Sequence, residues 1–338
     1  MSPTRNTAES KLDSAQYAQI AREVLLLEAK ELQNTAQKCA HIAWTPIIES
    51  IIKATDKGGK LIVCGVGKSG HIGSKIAATL ASTGTPSFFL HPTEALHGDL
   101  GMIGENDIIL AISYSGESSE ILAIMPHLKR LASSIITMSK APDSALSRLG
   151  DYFLPIAIEQ EACPIEAAPM SSTTLTLAIG DALAACLIQA RSFSKYDFGA
   201  LHPGGSLGKE LFVKITDLMQ RDNLPIISPQ TPLKDAIIIM TQKRLGSALI
   251  AEDNALIAVL SDGDLRRAMM RSDFDINANA ITYATQNPKT CQNPNLLAKE
   301  ALKIIEANKI QLLIITDSKK QILGVLHIHT LLSEGITP

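Results

Sequence analysis

The chain lacks most of the features that would place it in the common binding classes. Its five cysteines, Cys39, Cys64, Cys163, Cys186 and Cys291, include no C-x-x-C pair, so neither a disulfide framework nor a zinc knuckle is expected. They read as buried free thiols of a reducing cytoplasm. No run rich in Lys or Arg stands out and the net charge is -3, which offers no general attraction to nucleic acid or to an anionic membrane. The first residues, Ser2 to Ser14, are polar and contain no apolar leader segment. No stretch approaches the roughly 20 apolar residues that a membrane span requires, so a cytoplasmic protein is expected. Nucleotide signatures are incomplete as well. Gly65-Val66-Gly67-Lys68-Ser69-Gly70 has neither the spacing of a nucleotide P-loop nor the third glycine of a dinucleotide fingerprint.

What is present is length and an ordered alternation. The 338 residues suffice for two or three domains, and 46% hydrophobic content supports sizeable cores. Residues 14 to about 57 carry Ile20, Val24, Leu27 and Leu32 at helical spacing. Short apolar runs follow at 60–63, 86–90, 107–112, 134–138 and 152–158. Helix-like stretches at 69–82, 118–131, 144–149 and 171–191 separate them. Strands with few polar interruptions are expected where both sheet faces are covered. The fold class is therefore α/β: a doubly wound, five-stranded parallel sheet with N-terminal helices.

Two turns fall at carboxyl ends of those strands, where such sheets bind ligands. The first is Gly65 to Gly70, followed by His71 and a helix. Its glycines let backbone N–H groups approach an anion, and the helix start favours negative charge. The second, Ser113-Tyr114-Ser115-Gly116-Glu117-Ser118, offers hydroxyls and amides that could hold a phosphate without lysine or metal. Serine and glycine also favour ordinary caps and turns. Two such loops in succession point to a phosphorylated small molecule.

Beyond Lys209 an internal repeat appears. Leu233-Lys234-Asp235-Ala236 matches Ala298-Lys299-Glu300-Ala301 at an offset of 65 residues, and Ala248-Leu249-Ile250 matches Leu313-Ile314-Ile315. Each copy reads as a helix, two strands and a closing helix, and the arrangement resembles a tandem CBS pair. The first copy contains Ser261-Asp262-Gly263-Asp264, the Ser-x-x-Asp pattern whose Asp holds a ribose in nucleotide-binding CBS modules. The second copy has His327-Ile328-His329-Thr330 instead. Ser261 and Asp264 are thus candidates for contact with a nucleotide or nucleotide sugar, beside the plainer reading of an assembly module without ligand.

The first two thirds resemble the sugar isomerase (SIS) domain, and the whole resembles the arabinose-5-phosphate isomerases of the Kdo branch of lipopolysaccharide synthesis. The stretches that carry the likeness are Gly65 to Gly70, His97-Gly98-Asp99-Leu100-Gly101, Ser113 to Glu120, Glu161-Ala162-Cys163-Pro164, Ala168 to Thr174 and His202 to Gly208. Met170 stands where threonine is usual. The resemblance implies a helical segment 1–57 packing on a SIS domain 58–205, followed by CBS copies at 206–272 and 280–338. It implies interconversion of D-ribulose 5-phosphate and D-arabinose 5-phosphate through an enediolate, with Lys68, Glu120, Glu161 and His202 as the catalytic set. Glu161, in a short loop after the last strand, is the expected base. His202 is expected to act from an adjacent subunit of a homo-oligomer, most simply a tetramer. Ser69, Gly84, Thr85, His91, His97, Ser113, Ser115, Ser118, Ser171 and Ser172 are the implied substrate contacts. No cofactor is required. A divalent metal such as zinc could bind at His91 and inhibit, although two histidines do not complete a tetrahedral site.

Three alternatives stay open. One is an isomerase of another sugar phosphate. Another is a phosphosugar-sensing regulator on the same fold, although residues 1–57 carry no basic helix-turn-helix. The last is a nucleotide-sensing scaffold built on the CBS pair.

Overall fold

The computed structural model describes residues 12–337. The chain divides into two compact units, Met1–Phe198 and Gly199–Pro338.

The first unit begins with helices α1 (Ser14–Lys38) and α2 (Trp44–Asp56). The single helix expected over 14–57 is therefore two, separated by a 3-10 turn and an extended Ile42. Pro46 supplies the physical reason. It has no N–H to return to the preceding turn, yet it sits comfortably in the first turn of a new helix. The sheet follows: β1 (Leu61–Gly65), β2 (Ser87–Leu90), β3 (Ile108–Ile112), β4 (Ser134–Ser139) and β5 (Tyr152–Pro155). All its pairings are parallel, in the order β2-β1-β3-β4-β5. Helices α3 (Gly67–Ser82), α4 (Pro92–Leu96), α5 (Ser119–Leu131) and α6 (Ser171–Ala190) complete the unit.

The strand pattern explains why both faces are covered. Leu61 and Val63 of β1, with Ile108, Leu110 and Ile112 of β3, pack with Ile47, Ile76 and Leu183 of α2, α3 and α6. The alternate residues Ile62, Cys64, Ile109 and Ala111 pack instead with Ile121, Ile124 and Leu128 of α5. β1 is the point from which the chain runs to β2 on one side and β3 on the other. In an open parallel sheet that reversal leaves a crevice beyond the strand ends.

One further expected helix does not form. Residues 144–149 form no α-helix, only a 3-10 turn over Ser147–Leu149. Their hydroxyls are spent on a buried network in which Ser139 Oγ lies 3.1 Å from Ser144 Oγ and 2.8 Å from Ser147 Oγ. Serine side chains that bond locally compete with helical hydrogen bonding. The expectation of no span-length apolar stretch also needs correction. α6, with 20 residues, is long and apolar enough by length and composition to cross a membrane. In this fold it packs against α1, α2 and α3, burying Leu175, Ile179, Leu183 and Leu187. All five cysteines are free, and Cys39 and Cys186 are only half-buried.

The unit boundary falls within α7 (Lys195–Leu201). The second unit contains α8 (Ser206–Phe212), α9 (Ile215–Leu218) and the two repeat copies. The first copy runs β6 (Ile226–Ile227), α10 (Leu233–Lys243), β7 (Ser247–Glu252), β8 (Ala255–Ser261) and α11 (Asp262–Met269), after which β9 (Thr285–Gln286) pairs with β8. The second copy runs β10 (Thr290–Cys291), α12 (Ala298–Ala307), β11 (Leu312–Thr316), β12 (Ile322–His327) and α13 (Ile328–Ser333). Each copy thus opens with a two-residue strand, parallel to its second strand, that the sequence pattern is too short to reveal. Leu249, Leu256, Leu312, Ile314 and Val325 form a core shared by the two copies.

Candidate active site

The two loops meet at the crevice beside β1 and β3. At the first, Gly70 packs so closely under the end of β1 that a Cβ there would lie 2.9 Å from the Gly65 carbonyl oxygen. Only glycine lets the helix start so near the strand. No side chain caps the Val66 end of α3, and Lys68 and Ser69 in its first turn face a cavity of about 340 Å³. At the second loop, Ser113 Oγ and Ser118 Oγ are 2.9 Å apart, and Ser113 Oγ accepts the Gly116 N–H at 3.2 Å. Gly116 has φ +73, and a Cβ on it would collide with the Ser144 side chain. The buried serine network therefore fixes the shape of this loop from beneath. Ser113, Tyr114, Ser115 and Ser118 all line the same cavity.

The third wall is the start of α6, which contributes Pro169, Ser172, Thr173 and Thr176. Ser172 is 2% exposed and its hydroxyl has no hydrogen-bond partner. A buried orphan hydroxyl is costly, and one that lines a cavity is a ready contact for a polar ligand. Three helix starts, of α3, α5 and α6, thus converge on one space, and those of α3 and α5 contribute partial positive charge toward it.

Glu161 lies behind that wall. Its Oε2 accepts the N–H groups of Met170 at 2.8 Å and Ser172 at 3.4 Å, so the carboxylate caps α6; it does not line this cavity but a second one, against Val24 and Leu27 of α1. Ser171 is buried and its Oγ accepts the Ala162 N–H at 3.0 Å; it braces the Glu161 loop and does not line the cavity. Glu120 is exposed in the first turn of α5. Its own backbone N–H and the Ser119 hydroxyl hold its carboxyl below the usual range.

Four further expected contacts fall elsewhere. Gly84 and Thr85 precede β2 and so lie at the amino edge of the sheet, opposite the two loops. There Arg191 donates to the Gly84 carbonyl at 2.7 Å and also bonds Thr55. His91 caps α4, its Nδ1 accepting the Thr93 N–H at 3.2 Å, and His97 is exposed at the other end of that helix. Neither histidine lines the cavity. Among the described residues no three His, Cys, Asp or Glu side chains are grouped to hold a metal. His202 belongs to the second unit, in the turn between α7 and α8, where its carbonyl accepts the Gly205 N–H at 3.0 Å.

Sequence reasoning missed Tyr114, Thr173 and Thr176 as lining residues. The last two were legible in principle, since Thr176 shares a helix face with both Ser172 and Thr173, four and three residues before it, and all three carry hydroxyls. Burial raises the Tyr114 hydroxyl's pKa, and the nearby carboxylates of Glu161 and Glu31 push the same way, against a bond from the Ile158 backbone.

In the second unit, a separate cavity of about 470 Å³ is lined by Ser261, Asp262 and Asp264 together with Arg266, Arg267, Lys289 and Lys309. Asp264 is 5% exposed and heavily engaged. It accepts from Ser261 N–H at 2.9 Å, Ser261 Oγ at 2.6 Å, Thr285 Oγ1 at 2.9 Å and Arg267 at 2.5 Å.

An open parallel sheet with helix starts gathered at its switch point is the layout of α/β proteins that take phosphorylated ligands, and residues 55–186 match the SIS domain model while 215–271 match the CBS domain model. An uncharacterized protein of Helicobacter pylori strain J99 is 54% identical over 86% of this chain and 88% of its own. Arabinose 5-phosphate isomerase KdsD of Yersinia pestis is 44% identical over 95% of this chain and 96% of its own. A solved Escherichia coli CFT073 protein in complex with arabinose 5-phosphate superposes with TM-score 0.52 at 37% identity, covering 57% of this chain and all of that one. The chain belongs to the arabinose 5-phosphate isomerase family.

Proposed function

We propose that this protein is an aldose-ketose isomerase that interconverts D-ribulose 5-phosphate and D-arabinose 5-phosphate, serving Kdo and lipopolysaccharide synthesis. The observation that supports the reading is the meeting of the two loops at one cavity whose third wall, the start of α6, is held from behind by the Glu161 carboxylate. The 5-phosphate would rest against Ser113, Ser115 and Ser118 and the start of α3, with the sugar extending toward Ser172.

In the ketose, C1 carries two hydrogens and a hydroxyl beside the C2 carbonyl. A base removes one C1 hydrogen as a proton, and the electron pair left behind forms the C1–C2 double bond while the carbonyl oxygen takes negative charge. Delivery of the proton to C2, with transfer of the O1 hydroxyl proton to O2, leaves an aldehyde at C1. We assign the carbon-to-carbon shuttle to Glu161 and charge neutralisation at the enediolate to Lys68. Glu120, held ionised by its local hydrogen bonds, suits accepting a hydrogen bond from a substrate hydroxyl better than donating a proton. His202 is assigned to ring opening, acting from a neighbouring subunit of an oligomer. Mixing inactive His202→Ala and Glu161→Gln chains should then restore activity on forming hybrids, because some sites receive both intact residues. No recovery after verified chain exchange would place His202 within its own chain.

Purified protein assayed on a panel of pentose, hexose and heptose phosphates tests the reading directly. Preferred turnover of ribulose 5-phosphate supports it, and turnover confined to a hexose phosphate overturns it.

A second binding reading concerns the cavity of the second unit. Two arginines and two lysines around two aspartates favour an anionic ligand, and a nucleotide or nucleotide sugar fits that charge and volume. Ligand contact with Asp264 would require the exposed Arg267 to release its oxygen. Arg267, which lines the cavity, would then pair with the ligand's phosphate, so a melting shift with nucleotides that disappears in Arg267→Ala is the expected result.

A further inference from the structure

The one fully buried residue of the 25-residue helix α1 is a glutamate. Glu31 is 2% exposed, and among the described residues it makes no ion pair. Its Oε2 accepts the Glu159 N–H at 2.9 Å and its Oε1 accepts the Gln160 N–H at 3.2 Å. The next residue is Glu161. Three positions earlier on the same helix face, Glu28 Oε2 accepts the Thr174 hydroxyl at 3.2 Å, in the first turn of α6. Two carboxylates of α1 therefore hold the two ends of the segment that carries Glu161, while Glu161 itself reaches across that segment to Met170 and Ser172.

A buried carboxylate is a costly way to join a helix to a loop, since an apolar residue would pack there without desolvating a charge. Its two oxygens do what no apolar group can. They fix two successive backbone N–H groups and hence the direction in which the following side chain leaves the loop. We propose that Glu31 is a positioning residue for Glu161, a role that rests on the reading of Glu161 as the base. A base gains its effect from near-fixed geometry at the reacting carbon, so slack in the 159–161 backbone reaches the turnover step.

The test uses full-length Glu31→Gln and Glu31→Asp, with kcat and KM on ribulose 5-phosphate, the thermal midpoint, and amide hydrogen exchange in the peptide covering 156–164. Glu31→Gln retains the shape but offers only one acceptor oxygen. It should lower kcat on the order of 10-fold or more with little change in KM, and speed exchange at 159–160. Glu31→Asp keeps the charge on a shorter arm and should recover part of both effects. Unchanged exchange at 159–160 overturns the positioning role, and so does a loss of kcat that only follows a lowered thermal midpoint. A wild-type protein inactive on ribulose 5-phosphate overturns the functional reading instead, so the two failures appear in separate measurements.

Discussion

The cleft of the first unit and the cavity of the second treat their polar groups in opposite ways. In the cleft, the start of α3 has no side-chain cap and Ser172 keeps a buried hydroxyl without a partner. In the cavity, Asp264 is satisfied from four directions by its own chain. One site is built with its hydrogen bonds still to be made, and a ligand gains affinity by making them. The other has closed on itself, so any ligand must compete with contacts already present. Substitutions that remove polar groups should therefore act on substrate handling in the first unit and on stability in the second.

The largest effect is expected at Glu161. Glu161→Gln should reduce kcat by roughly 10²-fold or more, as for loss of a positioned base, while the circular dichroism spectrum stays that of the wild type. Near-normal turnover would remove Glu161 from the role and pass the proton shuttle to another group. Gly116→Ala comes next, because it sets a Cβ against Ser144 and strains a residue at φ +73. A loss of about 2–3 kcal/mol in denaturant unfolding is expected. An unaltered midpoint would mean that the serine network does not define the loop.

Asp264→Asn should cost about 1–3 kcal/mol through lost charge-assisted bonds, without altering isomerase turnover. Burial alone would push the Asp264 carboxyl up, but the bonds from Ser261, Thr285 and Arg267 outweigh it and leave the carboxyl below its ordinary value. A carboxyl depressed in the folded state stabilises above its unfolded pKa, and that stability is lost as pH falls through the folded one. Wild-type and Asp264→Asn proteins should thus converge in stability under acid. A difference that persists unchanged at low pH would contradict the assignment. The smallest stability change belongs to Ser172→Ala, expected within about 1 kcal/mol of the wild type, since the deleted hydroxyl is unsatisfied without ligand. KM should rise meanwhile. A marked loss of stability would show that the hydroxyl is part of the fold and not held for a ligand.

Much of this was legible in the sequence because it is periodic. Doubly apolar strands such as Ile108–Ile112 announce a sheet covered on both faces, and the glycine and serine turns announce their own chemistry. What escaped depends on distant partners. Thr85 looks like a substrate contact until Arg191, far along the chain, is seen to bond it at the opposite sheet edge. Glu31 sits in a helical stripe where a glutamate reads as solvated, and only the loop at 159–160 reveals that it is buried. The two-residue strands β6 and β10 carry too little pattern for any periodicity to show.

α6 has a consequence for how the chain is made. Taken alone, it is a segment that a membrane or another unfolded chain could capture. The elements that cover it, α1, α2 and α3, all precede it in the chain, as do the five strands of the first unit's sheet. At ribosomal speeds of about 5–20 residues per second, its 20 residues take about 1–4 s to emerge. The surface that must receive it has by then already been synthesised. The order of elements along the chain thus shortens the interval during which its most apolar helix is unprotected.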